Sequence, residues 1–235
     1  GTSTTDTIRA AGIPGSTSIW ADPLHEGPVP ARLTDEALLD IRARHLAGND
    51  RSGIAFAETI AELRRWREAI DDHASYDELV LWYEHDLFDQ LNLIQLLTRI
   101  GQEPAVDRRR VSLICIDRFP GHPRFKGLGE LSALELGSLL ETRQPLSAGQ
   151  YELAARAWDA FRADDPLALD RLLGTDTSAL PFLASSLRRH LEEFPWTRDG
   201  LSRTERRIMQ LARPGTIEIR RAFPLMHDDE TAFYI

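Results

Sequence analysis

Two short, unbroken apolar runs, ELVLWY at 78–83 and VSLICI at 111–116, constrain this chain more than any other feature. A strand that alternates apolar and polar residues has one wet face, whereas a continuous run is buried on both. Two such strands joined by a helical segment over 87–100 imply a parallel sheet of the βαβ type. The short run STSIW at 16–20 reads as a further strand. The opening GTSTTDTIRAAG reads as a turn feeding a helix, so a strand is expected before Gly1, outside this sequence. DDETAFYI at the other end is expected to stop or skip short of a natural boundary. Residues 1–120 are therefore expected to form a Rossmann-like open parallel sheet layer, an expectation that rests on element order alone.

Turn and cap signals place the other elements. Three prolines and Gly27 force ADPLHEGPVP, at 21–30, into a loop. Thr34 caps a helix over 35–47, with Asp35 and Glu36 in its first turn. Phe56, Ile60, Leu63, Trp66 and Ile70 give a helical period over 55–70. After Asp117 the pattern changes. RFPGHPRFKGLGEL is a Pro/Gly-rich crossing that holds Lys126, the single lysine. Helices then follow over 132–143, 147–162, 166–173, 178–193 and 202–212, so residues 121–235 read as a helical domain with a winged-helix-like end.

The 235 residues suffice for one large domain or one medium domain with an appendage, and 42% hydrophobic content suffices for a core. No apolar run is long enough to span a membrane, and no secretion signal is visible. The single cysteine, Cys115, cannot form an internal disulfide, and a reducing, cytoplasmic setting is the simplest reading. A net charge of −9 argues against a chain coated in nucleic acid and leaves room for a local basic patch.

Ligands of open parallel sheets bind beyond the carboxyl ends of the strands. Thr2, Ser3, Thr4 and Thr5 stand there after the expected first strand, and Asp22, His25 and Glu26 after STSIW. Glu84, His85, Asp86 and Asp89 follow ELVLWY, and Asp117 follows VSLICI. Four segments would thus bring hydroxyls, carboxylates and imidazoles to one edge. Blander roles compete for each. Asp86 can cap the helix 87–100 with Asp89 in its first turn, Thr2 to Thr5 can be a solvated helix start, His25 can be turn structure, and Asp117 can open the turn before Pro120. Glu84 and His85 have no such natural capping role. A carboxylate buried there without a partner costs several kcal/mol, on the order set by ion desolvation, so the pair faces a crevice or is partnered.

Carboxylates and hydroxyls suit a divalent cation such as Mg²⁺ that bridges phosphates, and His85 with Glu84 or Asp86 suits acid–base work near neutrality. Neither a Cys/His zinc spacing nor a GxxxxGK[ST] loop is present. The segments GTSTTDTIRAAG, WADPLHEGPVP, LWYEHDLFDQLNLIQLL, FKGLGEL, AWDAFRADDP, ALPFLASSLRRHLEEFPW and GLSRTERRIMQLA together resemble a bacterial family catalogued as domain of unknown function 1835. The resemblance covers nearly the whole chain, departs at both ends, and implies a soluble bacterial protein with no assigned activity.

GLSRTERRIMQLARPGTIEIRRAFPL supports a rival reading. Ser202 and Glu205 form a capping box, and a helix followed by a strand-like TIEI resembles part of a winged helix whose Arg203, Arg206 and Arg207 could touch phosphates. The charge run equally suits a solvated helix face. Trp158, Phe161, Trp196 and Phe223 are core or interface residues, and no heptad seam demands an oligomer. Three functions remain open from these residues. The first is an enzyme, a hydrolase or transferase that takes a phosphorylated or nucleotide-like anionic small molecule. The second is a ligand-sensing regulator that touches nucleic acid. The third is a non-catalytic interaction protein.

Overall fold

The computed structural model describes residues 2–48, 55–72, 75–213, 215–227 and 230. Gly1 and residues 231–235, where expectations about the chain ends fall, lie outside the described residues. The fold is mixed α/β and mostly helical. In chain order the described elements are α1 (Thr2–Ala10), α2 (Asp35–Gly48), α3 (Phe56–Asp71), β1 (Leu79–Glu84), α4 (Leu87–Gln102), β2 (Val111–Ile116) and α5 (Ala133–Ser138). They continue with β3 (Gln144–Pro145), α6 (Ala148–Phe161), α7 (Leu167–Leu173), α8 (Leu183–Leu191), α9 (Arg203–Ala212) and α10 (Ile219–His227).

The two apolar runs form the sheet. β1 and β2 pair in parallel, Leu79 opposite Val111 through Glu84 opposite Ile116. Successive side chains alternate faces, so each strand feeds two cores. Leu81 and Tyr83 join α4, α6, α7 and α8 in the larger cluster, with Leu79, Leu113 and Cys115 packed against it. Val80, Trp82, Ile114 and Ile116 face a second cluster made by Ile8 of α1, Phe125, Leu128, Leu131 and α5. Both faces are covered, and the runs are continuous for that reason.

Helix α4 sits at the centre of the larger cluster, and the burial of Leu87, Leu91, Leu93, Ile94, Leu96, Leu97 and Ile100 spreads round its circumference. Its polar residues are buried too, so each must bond internally. Gln90 Nε2 donates to the Glu84 carbonyl at 2.8 Å. Asn92 brackets the Asp22 backbone, donating to its carbonyl and accepting from its N–H, both at 2.9 Å. Gln95 accepts the Trp20 indole N–H at 2.8 Å.

Those last two bonds explain a departure from expectation. STSIW is not a strand. Side chains of α4 hold the chain just after it, and no strand pairs with the other edge of β1 among the described residues. Nor is the sheet wholly parallel, because the short β3 runs antiparallel to β2. TIEI is not a strand either. The Glu218 carbonyl accepts from Arg221 and Ala222, and helix α10 starts at Ile219. Without a neighbouring strand, a β-branched tetrapeptide has no ladder to join, so the wing of a winged helix is not formed there. The helix expected over 132–143 ends at Ser138 and continues as a 3-10 turn over Leu139–Thr142, and that expected from 178 begins at Leu183. The Ser202–Glu205 capping box forms as read, and Thr34 Oγ1 accepts from the Ala37 N–H.

The loop after Trp20 is pinned from below by Arg42, which is only 1% exposed. Its guanidinium donates to Asp22 Oδ1 at 2.6 Å from Nη2 and to Oδ2 at 3.0 Å from Nε, and also to the carbonyls of Glu26 (2.6 Å) and Pro23 (3.0 Å). Gly27 has a φ of 72°, and an added Cβ there would lie 2.3 Å from the His45 ring, so no other residue fits that turn. Arg42→Ala strands Asp22 and two loop carbonyls in the interior. Urea unfolding should then show a loss of about 3–5 kcal/mol, the range for breaking a buried pair by removing one partner. A loss under about 1 kcal/mol, the size of an exposed pair, would show that the loop holds itself.

Candidate active site at the end of the first strand

Helix α4 begins two residues after β1 ends, which forces Glu84, His85, Asp86 and Asp89 together. Asp86 is the N-cap. Its Oδ1 accepts the Asp89 N–H at 2.7 Å, and Asp89 in turn accepts the Glu84 N–H on Oδ2 at 2.5 Å. Both residues thus take the capping role open to them, and the partial positive charge of the helix start favours them. Glu84 does something else. Its Oε1 accepts the N–H of Leu128, 44 positions away in the Gly-rich crossing, at 2.8 Å. An added Cβ at Gly127 would lie 2.0 Å from Glu84 Oε2, so any side chain there would push this carboxyl from its place against the KGLGEL segment. Ser3, in the first turn of α1, lies against the next glycine, where a Cβ at Gly129 would sit 3.0 Å from Ser3 Oγ.

The three carboxyls crowd at the helix start, and the positive chain terminus only partly offsets them. No arginine, lysine or histidine among the described residues forms an ion pair with Glu84, Asp86 or Asp89. Burial, and then the charge of Asp89, push Glu84 up to about 7. Burial and Asp89 likewise push Asp86 up to about 7, and burial raises Asp89 as well. Asp86 and Asp89, bonded at the same helix start, titrate as a linked pair. His85 is buried between Phe125 and Phe182, with ring centroids 6.3 and 6.0 Å away. Burial lowers its pKa against the opposing pull of Asp117, and its Nδ1 has no partner among the described residues. Cys115 lies below, its Sγ 3.4 Å from the Glu84 carbonyl, and burial pushes its thiol up to about 12. It therefore stays a thiol, with no thiolate to attack.

Other residues read from the sequence fall in three places. Ser3 comes to the edge of the acid group through the Gly127–Gly129 turn, and Thr4 is buried beside it in the same helical turn as Thr2. Asp117 is close enough to act on His85, though its carboxylate also pairs with Arg118 at 2.9 Å. Asp22 is committed to Arg42, and Glu26 keeps a largely exposed side chain. The His25 ring is buried edge-on to Phe88, 6.2 Å between centroids, and lies near His190, which burial lowers to about 4. The loop containing Asp22, His25 and Glu26 thus binds itself to the protein more than it lines a wall.

At the far end, Arg203 pairs with Glu192 and Glu230, and Arg206 pairs with Asp199 at 2.6 Å while lying over Trp196. Arg207 donates to the Leu225 carbonyl at 2.9 Å. These guanidiniums are already engaged within the chain. Trp158 is core and Phe161 packs on it, whereas Trp196 and Phe223 are exposed.

Sequence reasoning missed Arg42, Asn92 and Gly127. An arginine in register with Leu38, Leu39 and Ala43 on an apolar helix face was a legible signal for Arg42. Among the described residues, no helix is long and apolar enough to cross a membrane, and no three His, Cys, Asp or Glu side chains are disposed to hold a metal ion. No family model, curated protein or solved structure matches the chain.

The raised Glu84 pKa has a definite sign. The folded state holds a proton that the unfolded chain releases near 4.5, so stability from this group is complete below about 4.5 and is lost as pH rises towards about 7. Glu84→Gln, which keeps an acceptor for Leu128, should match the parent at pH 4.5 and exceed it at pH 8. The gain should be no more than about 3 kcal/mol, from 1.36 kcal/mol per pKa unit. Paired chemical-denaturation curves at the two pH values check this, and a variant less stable at pH 8 would mean the charged carboxylate is stabilising.

Proposed function

We propose that the carboxyl edge of β1 and β2 is an enzyme active site for a phosphorylated or nucleotide-like small molecule, which it hydrolyses or from which it transfers a group. The observation that carries this reading is the packing of Glu84, Asp86 and Asp89 into one buried strand-to-helix turn, where burial and the charge of Asp89 push Glu84 and Asp86 up to about 7. Carboxyls that serve only to cap a helix have no need to be set at the pH where a proton moves most easily in either direction. On this reading β1–α4–β2 is part of a Rossmann-like layer, and the site occupies the position such layers use.

The roles follow from the positions. Glu84, held by the Leu128 N–H, gives or takes the proton. Burial and then the negative charge of Asp89 keep Glu84 high, and Mg²⁺ brought in with a phosphate would take carboxylate oxygens of Asp86 and Asp89, with the phosphate and water supplying the rest. The neutral His85 offers Nδ1 to the substrate. The first turn of α1, with Thr2, Ser3 and Thr4, provides hydroxyls and N–H groups for an anion.

The test is a screen of nucleotides and sugar phosphates, with and without Mg²⁺, reading both phosphate release and thermal shift. One member should be turned over by the parent with a pH profile that breaks near 7. Glu84→Gln should lower turnover by about 10²–10⁴-fold, the usual contribution of a positioned acid–base group, while remaining folded. His85→Ala should weaken it as well. A panel that produces neither turnover nor a thermal shift, with both variants folded, would overturn the proposal.

A further inference from the structure

A second concentration of buried charge lies far along the chain from the acid group. Helices α8, α9 and α10 enclose a cavity of about 370 Å³ whose lining includes Arg189, Arg203, Trp196, Gln210, Met226 and Glu230. Arg189 is 5% exposed, an unusual position for a guanidinium. Its Nε donates to both carboxylate oxygens of Glu230, at 2.9 and 3.0 Å, while Nη2 donates to Thr204 Oγ1 at 3.1 Å and Nη1 pairs with Glu193. Arg203 reaches the same Glu230 carboxylate from the other side, Nη2 to Oε2 at 3.4 Å. One carboxylate, its side chain 6% exposed, therefore sits between two arginines at the edge of an open cavity.

The walls that bring Glu230 there are held weakly. Helix α9 buries none of its residues, and Ile208, Met209, Ile219, Phe223 and Leu225 remain exposed on α9 and α10. Segments with so little buried apolar surface open at low cost. Arg189, by contrast, stands on α8, whose Leu183 and Leu187 are completely buried in the main core. The arginine is fixed in the core, and its carboxylate partner Glu230 follows α10 along the chain.

We propose that this cavity is an anion-binding site in which Glu230 is the resident carboxylate, displaced when a small organic phosphate or carboxylate takes its place on Arg189 and Arg203. An oxyanion supplies the same pair of acceptors to Arg189, and a phosphate adds a third oxygen for Arg203. The body of the ligand enters the cavity beside Trp196 and Met226, with Gln210 as a polar wall. Glu192 also lines the cavity, but its carboxylate is occupied by Arg203 Nη1. The cavity is at the small end of the usual range for metabolite pockets, which favours a compact ligand.

The probes are phenyl phosphate and benzoate, titrated calorimetrically into the full chain, Glu230→Gln, and the double variant Glu230→Gln/Arg203→Gln. Glu230→Gln should bind at least one probe about tenfold or more tightly than the parent, since the resident competitor loses its charge, and the double variant should lose that gain. Equal affinity in parent and Glu230→Gln, no binding by either, or a gain untouched by Arg203→Gln would each overturn the proposal. If Glu230→Gln fails to fold, the parent decides. Phenyl phosphate raised to its solubility limit should then accelerate amide exchange in α10 as Glu230 leaves, and unchanged exchange overturns the proposal.

Discussion

Helix α4 has almost no solvent face, and most of the structure follows from that. A helix buried all round must find an internal partner for each polar side chain, or lose a few kcal/mol per unmet group. The partners it finds are distant in sequence. Asn92 and Gln95 hold the chain at Trp20 and Asp22, and Gln90 holds the last carbonyl of β1. The polar groups of α4 therefore act as fasteners for the loop before α2 and for the strand end, while its leucines and isoleucines bind the sheet to α6 and α8. The 21–30 loop has few other options. Three prolines remove donors from it, so its exposed carbonyls are met by the guanidinium of Arg42.

The same helix creates the crowding at its own start. A strand buried on both faces that turns directly into a buried helix leaves only residues 85 and 86 between them, and the cap must come from that gap. Asp86 and Asp89 are what a helix start of this kind selects, and their hydrogen bonds use only the backbone N–H of Glu84, not its side chain. The Glu84 side chain has a structural partner in the Leu128 N–H, but that partner does not need a charge. A glutamine would accept the Leu128 N–H as well, without forcing a third carboxyl into the same space or raising the pKa of its neighbours. A group that costs stability when ionised, and that a neutral isostere would improve, is characteristic of a position held for chemistry.

β1, β2, α4 and the caps at Thr34, Asp86 and Ser202 were legible because each has a local signal: a continuous apolar run, a helical period, a hydroxyl or carboxylate three residues before a free N–H. The elements misread were those settled by a partner elsewhere. STSIW has strand composition, but α4 holds its end by Gln95 and Asn92. TIEI has it too, but no strand lies nearby to pair with. The site divides along the same line. Glu84 to Asp89 are one contiguous stretch, so their meeting is guaranteed by the chain. Asp22 and Glu26 were placed with them by strand order, and strand order failed when STSIW was not a strand. The closure by Gly127 joins residues 43 positions apart and depends on a contact that no period or spacing encodes.

The two charged centres of the molecule have opposite arrangements, and the contrast bears on how each can work. At the end of β1 the ionisable side chains that crowd together among the described residues are carboxyls, fixed on the most buried elements of the fold. Relief there must come from a proton or from an arriving cation, and the surroundings will not move to provide it. At the α8–α9 cavity both signs are present: Arg189 stands on a helix of the core, and α9 and α10, which line the same cavity, bury little. Relief there comes by exchange of one anion for another on Arg189. The first arrangement suits proton transfer in a rigid setting, where preorganised groups gain most from not having to reorganise. The second suits binding that shifts the weakly buried α9 and α10, because the free energy of an arriving anion is spent on parting Glu230 from Arg189.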